Sequence, residues 1–258
     1  MLNVIPIPAF NDNYIWCLTR EGSPEAVVVD PGDPQPVLDH LAAEGLQLAG
    51  IIITHHHFDH TGGLDALLAT GQVPIWGPHN PAIPQISQRL ADGDTVEILG
   101  MDWQILEVPG HTLDHIAYYT EASDPPTLLC GDTLFAGGCG RVFEGNPAMM
   151  LASLDKLAAL PPATRLYCAH EYTMANLSFA AAVEPDNPSL QERIARDGAL
   201  RDENRPTVPS VIQVELDTNP FLRCRQPAVM AQMASRDGVN PEVPADVFAA
   251  VRRWKDNF

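Results

Sequence analysis

Residues 51–60 read IIITHHHFDH, four imidazoles and a carboxylate directly behind three isoleucines. The run LAGIII is apolar and rich in β-branched residues, the pattern of a strand covered on both faces rather than a half-wet one. Polar side chains that follow such a strand lie at its C-terminal edge, where α/β proteins place their sites. A chain with this stretch must therefore cover a sheet with other layers and open one edge of it. Side chains along an extended segment alternate with period two, so His55 and His57 point the same way and can chelate one ion. His56 faces away and is dispensable to the chemistry. Asp59 and His60 fall in the turn beyond and can begin a second site. So many ligand-type side chains in seven residues have little structural use, which favours metal over an accidental cluster.

Three more candidates follow strand-like runs: His111 after WQILEVPG, Asp132 after TLLCG and His170 after RLYCA. Each ends an apolar run next to a glycine or in a short loop, as one sheet-edge site requires. Together with His55, His57, Asp59 and His60 they make five histidines and two aspartates, enough for two ions with positions left open to water or substrate. Isolated histidines such as His40, His79 and His115 read instead as surface or hydrogen-bonding residues. Short β-branched or alternating runs recur up to about residue 170, with amphipathic helical windows at 34–44, 63–70 and 147–159. Past Glu171 the texture becomes helical, with windows at 173–183, 189–204, 227–235 and 244–256. This predicts a layered α/β (α+β) domain over 1–172 and a small helical domain over 173–258.

Charge narrows the function. Fifteen basic against thirty-three acidic side chains leave a net −18, a field that repels phosphate backbones and anionic membranes. Neither nucleic acid nor membrane is expected as a partner, and an anionic small substrate needs a local basic patch. The five cysteines form no C-x-x-C pair, which disfavours structural zinc and a disulfide framework and points to reduced, buried thiols. The N-terminus has no basic n-region and carries prolines where a signal helix would lie, so a cytoplasmic protein is expected; a monomer is expected besides.

The motifs THHHFDH, PGHTLDH, CGDTLF and CAHEYT, in this order, resemble the metallo-β-lactamase fold family. LFAGGCGR, HEYT, TNPFLR and the terminal VRRWKDNF narrow the resemblance to glyoxalase II, the hydroxyacylglutathione hydrolases, across essentially the whole chain. The resemblance implies an αββα sandwich followed by a small helical domain. It implies that His55, His57 and His111 hold one metal, that Asp59, His60 and His170 hold the other, and that Asp132 bridges them. The cofactors would be two divalent ions, zinc in the first place, with iron or manganese as alternatives. Asp59 would also orient a metal-bridging hydroxide. The implied activity is hydrolysis of S-D-lactoylglutathione to glutathione and D-lactate, the second step of methylglyoxal detoxification.

By the same resemblance Arg141, Phe143, Tyr172, Arg252 and Lys255 occupy glutathione-binding positions, and three of these are the cations that an anionic substrate requires. Phe143 departs from the tyrosine common among relatives, which puts one hydrogen bond of about 0.5–1.5 kcal/mol in doubt. The competing readings keep the fold and change the chemistry, as a lactamase-like or lactonase hydrolase or a single-iron persulfide dioxygenase, or drop catalysis for a metal-binding scaffold. Mixed His/Asp ligation with open positions argues against the scaffold, since purely structural metals favour closed, Cys-rich sets. An RNA-processing nuclease of the same superfamily is disfavoured by charge.

Overall fold

The computed structural model describes residues 1–258. It is a mixed α/β protein with two sheets and a C-terminal helical region. The chain condenses into two compact units, Met1–Glu107 with Asp114–Gly131, and Val108–Leu113 with Asp132–Phe258.

The first unit carries β1 (Leu2–Ala9), β2 (Asn13–Arg20), β3 (Glu25–Val29), β4 (Gln47–Ile52), β5 (Ile75–Pro78) and β6 (Gln88–Leu90), hydrogen-bonded in that order. The first two pairings are antiparallel, and those from β3 to β6 are parallel. Parallel neighbours need crossovers. Helix α1 (Pro34–Glu44) supplies the first, between β3 and β4, and α2 (Phe58–Thr61) with α3 (Leu64–Leu68) the second. Sequence sets the ends of α1: Asp33 caps it by accepting from the amide of Gln35, Pro34 opens it, and Gly45 closes it in the left-handed region at φ 64°. Val37, Leu41, Leu64 and Leu67 then pack with Val28, Ile51 and Ile53 in one cluster, each such side chain contributing roughly 1.5–3 kcal/mol on burial. Four further strands, β7 (Thr95–Ile98), β8 (Met101–Glu107), β9 (Ile116–Thr120) and β10 (Thr127–Gly131), pair antiparallel with their chain neighbours. The Tyr118 hydroxyl on β9 donates to the carbonyl of Ile53, at the end of β4. Because β3 and β4 are parallel and in register at Val29 and Ile52, the residues that follow them emerge at one edge.

The second unit holds β11 (Leu134–Phe135), β12 (Gly138–Cys139), α4 (Pro147–Ala158), β13 (Arg165–Cys168), α5 (Thr173–Val183), α6 (Pro188–Asp202), β14 (Ser210–Val211), α7 (Ile212–Thr218), α8 (Pro227–Asp237) and α9 (Pro244–Asp256). The helical windows past Glu171 reappear as α5, α6, α8 and α9. The short α7 and the β11–β12 hairpin leave no periodicity to detect, since two-residue strands and a seven-residue helix are shorter than any window. No helix is long and apolar enough to cross a membrane.

A charged network lies inside this unit. Arg193 on α6, 2% exposed, meets Glu215 on α7 at 2.6 Å and Asp197 at 3.2 Å, and donates to Thr218 at 2.6 Å. Burial disfavours the Arg193 charge, yet Glu215 and Asp197 outweigh it and raise its pKa. Removing one partner of a buried pair strands the other charge, at a cost of about 3–5 kcal/mol. Arg193→Ala is therefore expected to lose that much stability in urea unfolding; a loss below about 1 kcal/mol, the ordinary value for an exposed pair, contradicts the assignment.

Candidate metal centre

In the first unit the four ligand-type residues of THHHFDH come together. The chain leaves β4 at Ile52, turns through His55 to His57, and enters α2 at Phe58. The ring of His55 lies 4.8 Å from that of His57 and 4.1 Å from that of His60. His55 and His60 are fully buried. Gly32 permits the close approach: a Cβ there would sit 1.9 Å from the carbonyl oxygen of Asp59, so no larger residue fits the DPGD loop against this turn.

Asp30, just past β3, organises the turn. Its Oδ1 accepts from the amide of Thr54 at 2.8 Å and its Oδ2 from the Thr54 hydroxyl at 2.7 Å. His60 Nδ1 lies 3.0 Å from the same Oδ2, which places a carboxylate directly behind the imidazole. The Thr54 hydroxyl donates to Asp30 and lies 3.0 Å from His55 Nδ1, which makes His55 Nδ1 the donor and frees Nε2 for ligation. His60 Nε2 faces Asp59 Oδ2 at 3.4 Å, an imidazole nitrogen and a carboxylate oxygen of the kinds that a divalent ion takes. Asn13 donates to that Asp59 oxygen at 3.0 Å and holds the carboxylate in place.

The second unit repeats the device. His111 Nδ1 lies 2.9 Å from the carbonyl oxygen of Arg141, a pure acceptor, and so must donate. Its Nε2 lies 3.5 Å from Asp132 Oδ2, and His170 Nε2 lies 3.3 Å from the same oxygen. Lone pairs converge where a positive charge is needed. Gly140 lets the chain return close to this group, since a Cβ there would sit 2.0 Å from the Asp132 carbonyl oxygen. The donor set of both units, imidazole and carboxylate without thiolate, fits zinc, iron or manganese. Together with the fold, these His/Asp clusters mark a divalent-metal binder.

Of the remaining expected residues, Tyr172 and Phe143 lie against His170 and His111. Tyr172, 38% exposed, stacks on His170 with ring centres 4.7 Å apart and an interplanar angle of 5°. Phe143, 61% exposed, meets His111 edge-on at 5.3 Å. Arg141, Arg252 and Lys255 form a basic group around Asp256. Lys255 is held below the usual lysine range by half-burial first, and then by Arg252 and Arg141. Arg252 is 7% exposed; it binds Asp256 at 2.8 Å and donates to the carbonyl of Cys139 at 3.0 Å. Its guanidinium thus anchors the chain beside the basic group, while Arg141 and Lys255 are the more open cations.

Some residues act differently from their sequence reading, or escaped it. His56 does face away, but its Nδ1 lies 2.9 Å from Asp114 Oδ1, so it ties its turn to the start of β9. His115 is buried and stacks on His55 with ring centres 4.6 Å apart. Asp30 was overlooked although it follows AVVV as Asp132 follows TLLCG; the same strand-end signal would have found it. Asn13 had no signal, because amide side chains are common in turns. The cysteines offer no nucleophile: all five are buried, and burial pushes Cys17 and Cys139 up to about 11 and Cys168 up to about 12.

Residues 17–170 match the metallo-beta-lactamase superfamily, and residues 171–258 match the hydroxyacylglutathione hydrolase C-terminus. A hydroxyacylglutathione hydrolase of Pseudomonas aeruginosa is 52% identical over 259 residues, covering 100% of both chains. One from Chromohalobacter salexigens is 50% identical over 258 residues, again covering 100% of both. Among solved structures, ETHE1 from Myxococcus xanthus superposes with a TM-score of 0.65 at 24% identity, over 99% of this chain and 98% of its own, which shows the shared fold.

Asp30 is the accessible test of the ligand geometry. Asp30→Asn keeps a residue type that tolerates the left-handed backbone found there, at φ 52°, but removes the carboxylate charge facing His60. Loss of such an outer partner lowers metal affinity about 10–100-fold. Metal content after dialysis against a graded chelator is expected to fall accordingly, and retention equal to the unaltered protein refutes the role given to Asp30.

Proposed function

The chain belongs to the hydroxyacylglutathione hydrolases of the metallo-beta-lactamase superfamily, and from that premise we propose that it hydrolyses S-(2-hydroxyacyl)glutathione, S-D-lactoylglutathione foremost, to glutathione and the hydroxy acid. The observation that carries this reading is a donor set in which His55 and His111 each have Nδ1 engaged and Nε2 left for a metal, in a chain with no exposed thiol. In the proposed arrangement His55, His57 and His111 hold one divalent ion, Asp59, His60 and His170 hold a second, and Asp132 bridges. Zinc suits these ligands, as do iron and manganese. When bound, such ions would supply a water of pKa lowered from about 15.7 toward about 7 and a Lewis acid for the thioester carbonyl.

The chain's own residues then do the positioning. Asp59, its carboxylate braced by Asn13, sets the direction of the attacking oxygen. The departing thiol has an ordinary pKa of about 8.5, so it leaves as thiolate and no side chain need serve as general acid. Arg141 and Lys255 supply the local positive charge that a glutathione carboxylate needs in a chain of net −18, with Arg252 holding their framework. Tyr172 and Phe143 offer ring faces beside His170 and His111. Residues 1–172 serve as the catalytic part and 173–258 as the substrate-binding part. The five reduced, buried cysteines suit a reducing compartment, and we assign the protein to the cytoplasm as a monomer acting in methylglyoxal removal.

Assay of S-D-lactoylglutathione against a β-lactam and an RNA, before and after chelation, decides the reading. Turnover of the thioester alone, abolished by chelator and restored by a divalent ion, is the expected result; preference for either rival substrate overturns it. In the same assay Arg141→Ala and Lys255→Ala each remove a charge-assisted contact of about 1.5–3 kcal/mol, so KM for the thioester should rise about tenfold or more with kcat little changed. An unchanged KM in both variants removes these two cations from the substrate site.

A further inference from the structure

We infer that Glu215 and Asn219 are positioning residues for the thioester site, acting through the hairpin of β11 and β12. Residues 134–139 run as a hairpin whose pairs are Leu134 with Cys139 and Phe135 with Gly138, so Ala136 and Gly137 form its tip. It leaves Asp132 two residues before its first strand and reaches Arg141 two residues after its second. Two strands of two residues each are far below the length that holds a hairpin by itself. Its polar tip groups are met from the helices instead.

Glu215, fully buried on α7, accepts the amide of Gly137 at 2.8 Å through Oε2, while Oε1 holds Arg193 and Ser210. Asn219 Nδ2 donates to the Gly138 carbonyl at 2.9 Å, to that of Phe135 at 3.3 Å and to Glu215 at 3.0 Å. Asn176 on α5 takes the Ala136 carbonyl at 3.1 Å. Neither Glu215 nor Asn219 touches the expected ligands, but Phe135 does: its ring meets His170 edge-on at 5.8 Å and Tyr172 at 5.4 Å. The base of the hairpin is held separately, by Gly140 N to the Thr133 carbonyl at 3.2 Å and by the Thr133 hydroxyl to the Val108 carbonyl at 3.3 Å.

This division of labour gives a specific signature. Releasing the tip should let Phe135 leave Tyr172 and disturb the approach to Arg141, while Asp132 at the base keeps its place. The inference rests on the substrate reading above for its kinetic arm and stands apart from it for its structural arm. Asn219→Ala removes the bonds to the Phe135 and Gly138 carbonyls and leaves the Arg193–Glu215 pair intact; Asn176→Ala, which removes the bond to the Ala136 carbonyl, is a milder version should the first fail to fold. Val229→Ala, a cavity in α8 away from the hairpin, serves as a control for general destabilisation.

In the metal-loaded full chain, Asn219→Ala is expected to raise KM for S-D-lactoylglutathione about tenfold with kcat within about threefold and metal content unchanged. Amide hydrogen exchange over residues 134–141 should accelerate, whereas Val229→Ala should speed exchange there no more than elsewhere and leave KM alone. If the hairpin amides of both asparagine variants exchange as in the control, or exchange accelerates with KM unmoved, the positioning role is refuted. If the unaltered protein fails to cleave the thioester, it is the substrate reading that fails, and hydrogen exchange still decides whether Asn219 governs the hairpin.

Discussion

The Asp30 carboxylate is the contact on which the first unit's site depends. It closes β3 and, through Thr54, sets the start of the turn that leaves β4, while facing His60 from behind. A carboxylate in that position fixes the location of an imidazole. The parallel register of β3 with β4 brings it there, so the sheet topology and the placing of a ligand are one problem. The tight approach of the DPGD loop at Gly32 belongs to the same arrangement.

The second unit reaches a comparable result with different means. Its sheet elements are short, and helix side chains reach into the hairpin that runs between Asp132 and Arg141. The Arg193, Glu215 and Asn219 network is wholly buried, where hydrogen bonds strengthen but any gap is costly. Polar groups in such a core specify one geometry, which a purely apolar contact between helices does not. The basic group of Arg141, Arg252 and Lys255 lies close to these helices, and it is where a strongly acidic chain concentrates positive charge.

Much of this was legible in the amino-acid order. The isoleucine run announced β4, and the helical windows past Glu171 returned as α5, α6, α8 and α9 because each is long enough to detect, and α6, α8 and α9 are opened by proline. The seven His and Asp candidates stood out because each ends an apolar run. Other features left no trace. Arg252 reads by resemblance as a glutathione-binding cation, yet its guanidinium is engaged inside the protein. His56 reads as a spacer, yet it faces Asp114, far along the chain. Glu215 lies in a helix too short to detect.

The difference has a physical cause. Periodicity, caps and strand-end ligands are local, so side-chain alternation and backbone preference express them within a few residues, and from them the sequence by itself determined the elements and the donor chemistry, while its motifs carried the resemblance to the family. Which nitrogen of each histidine carries its proton, which cation is exposed and which is anchored, and what braces the β11–β12 hairpin depend on partners tens of residues away. Those partners meet only when burial brings their segments together, and that was left to the tertiary structure to decide.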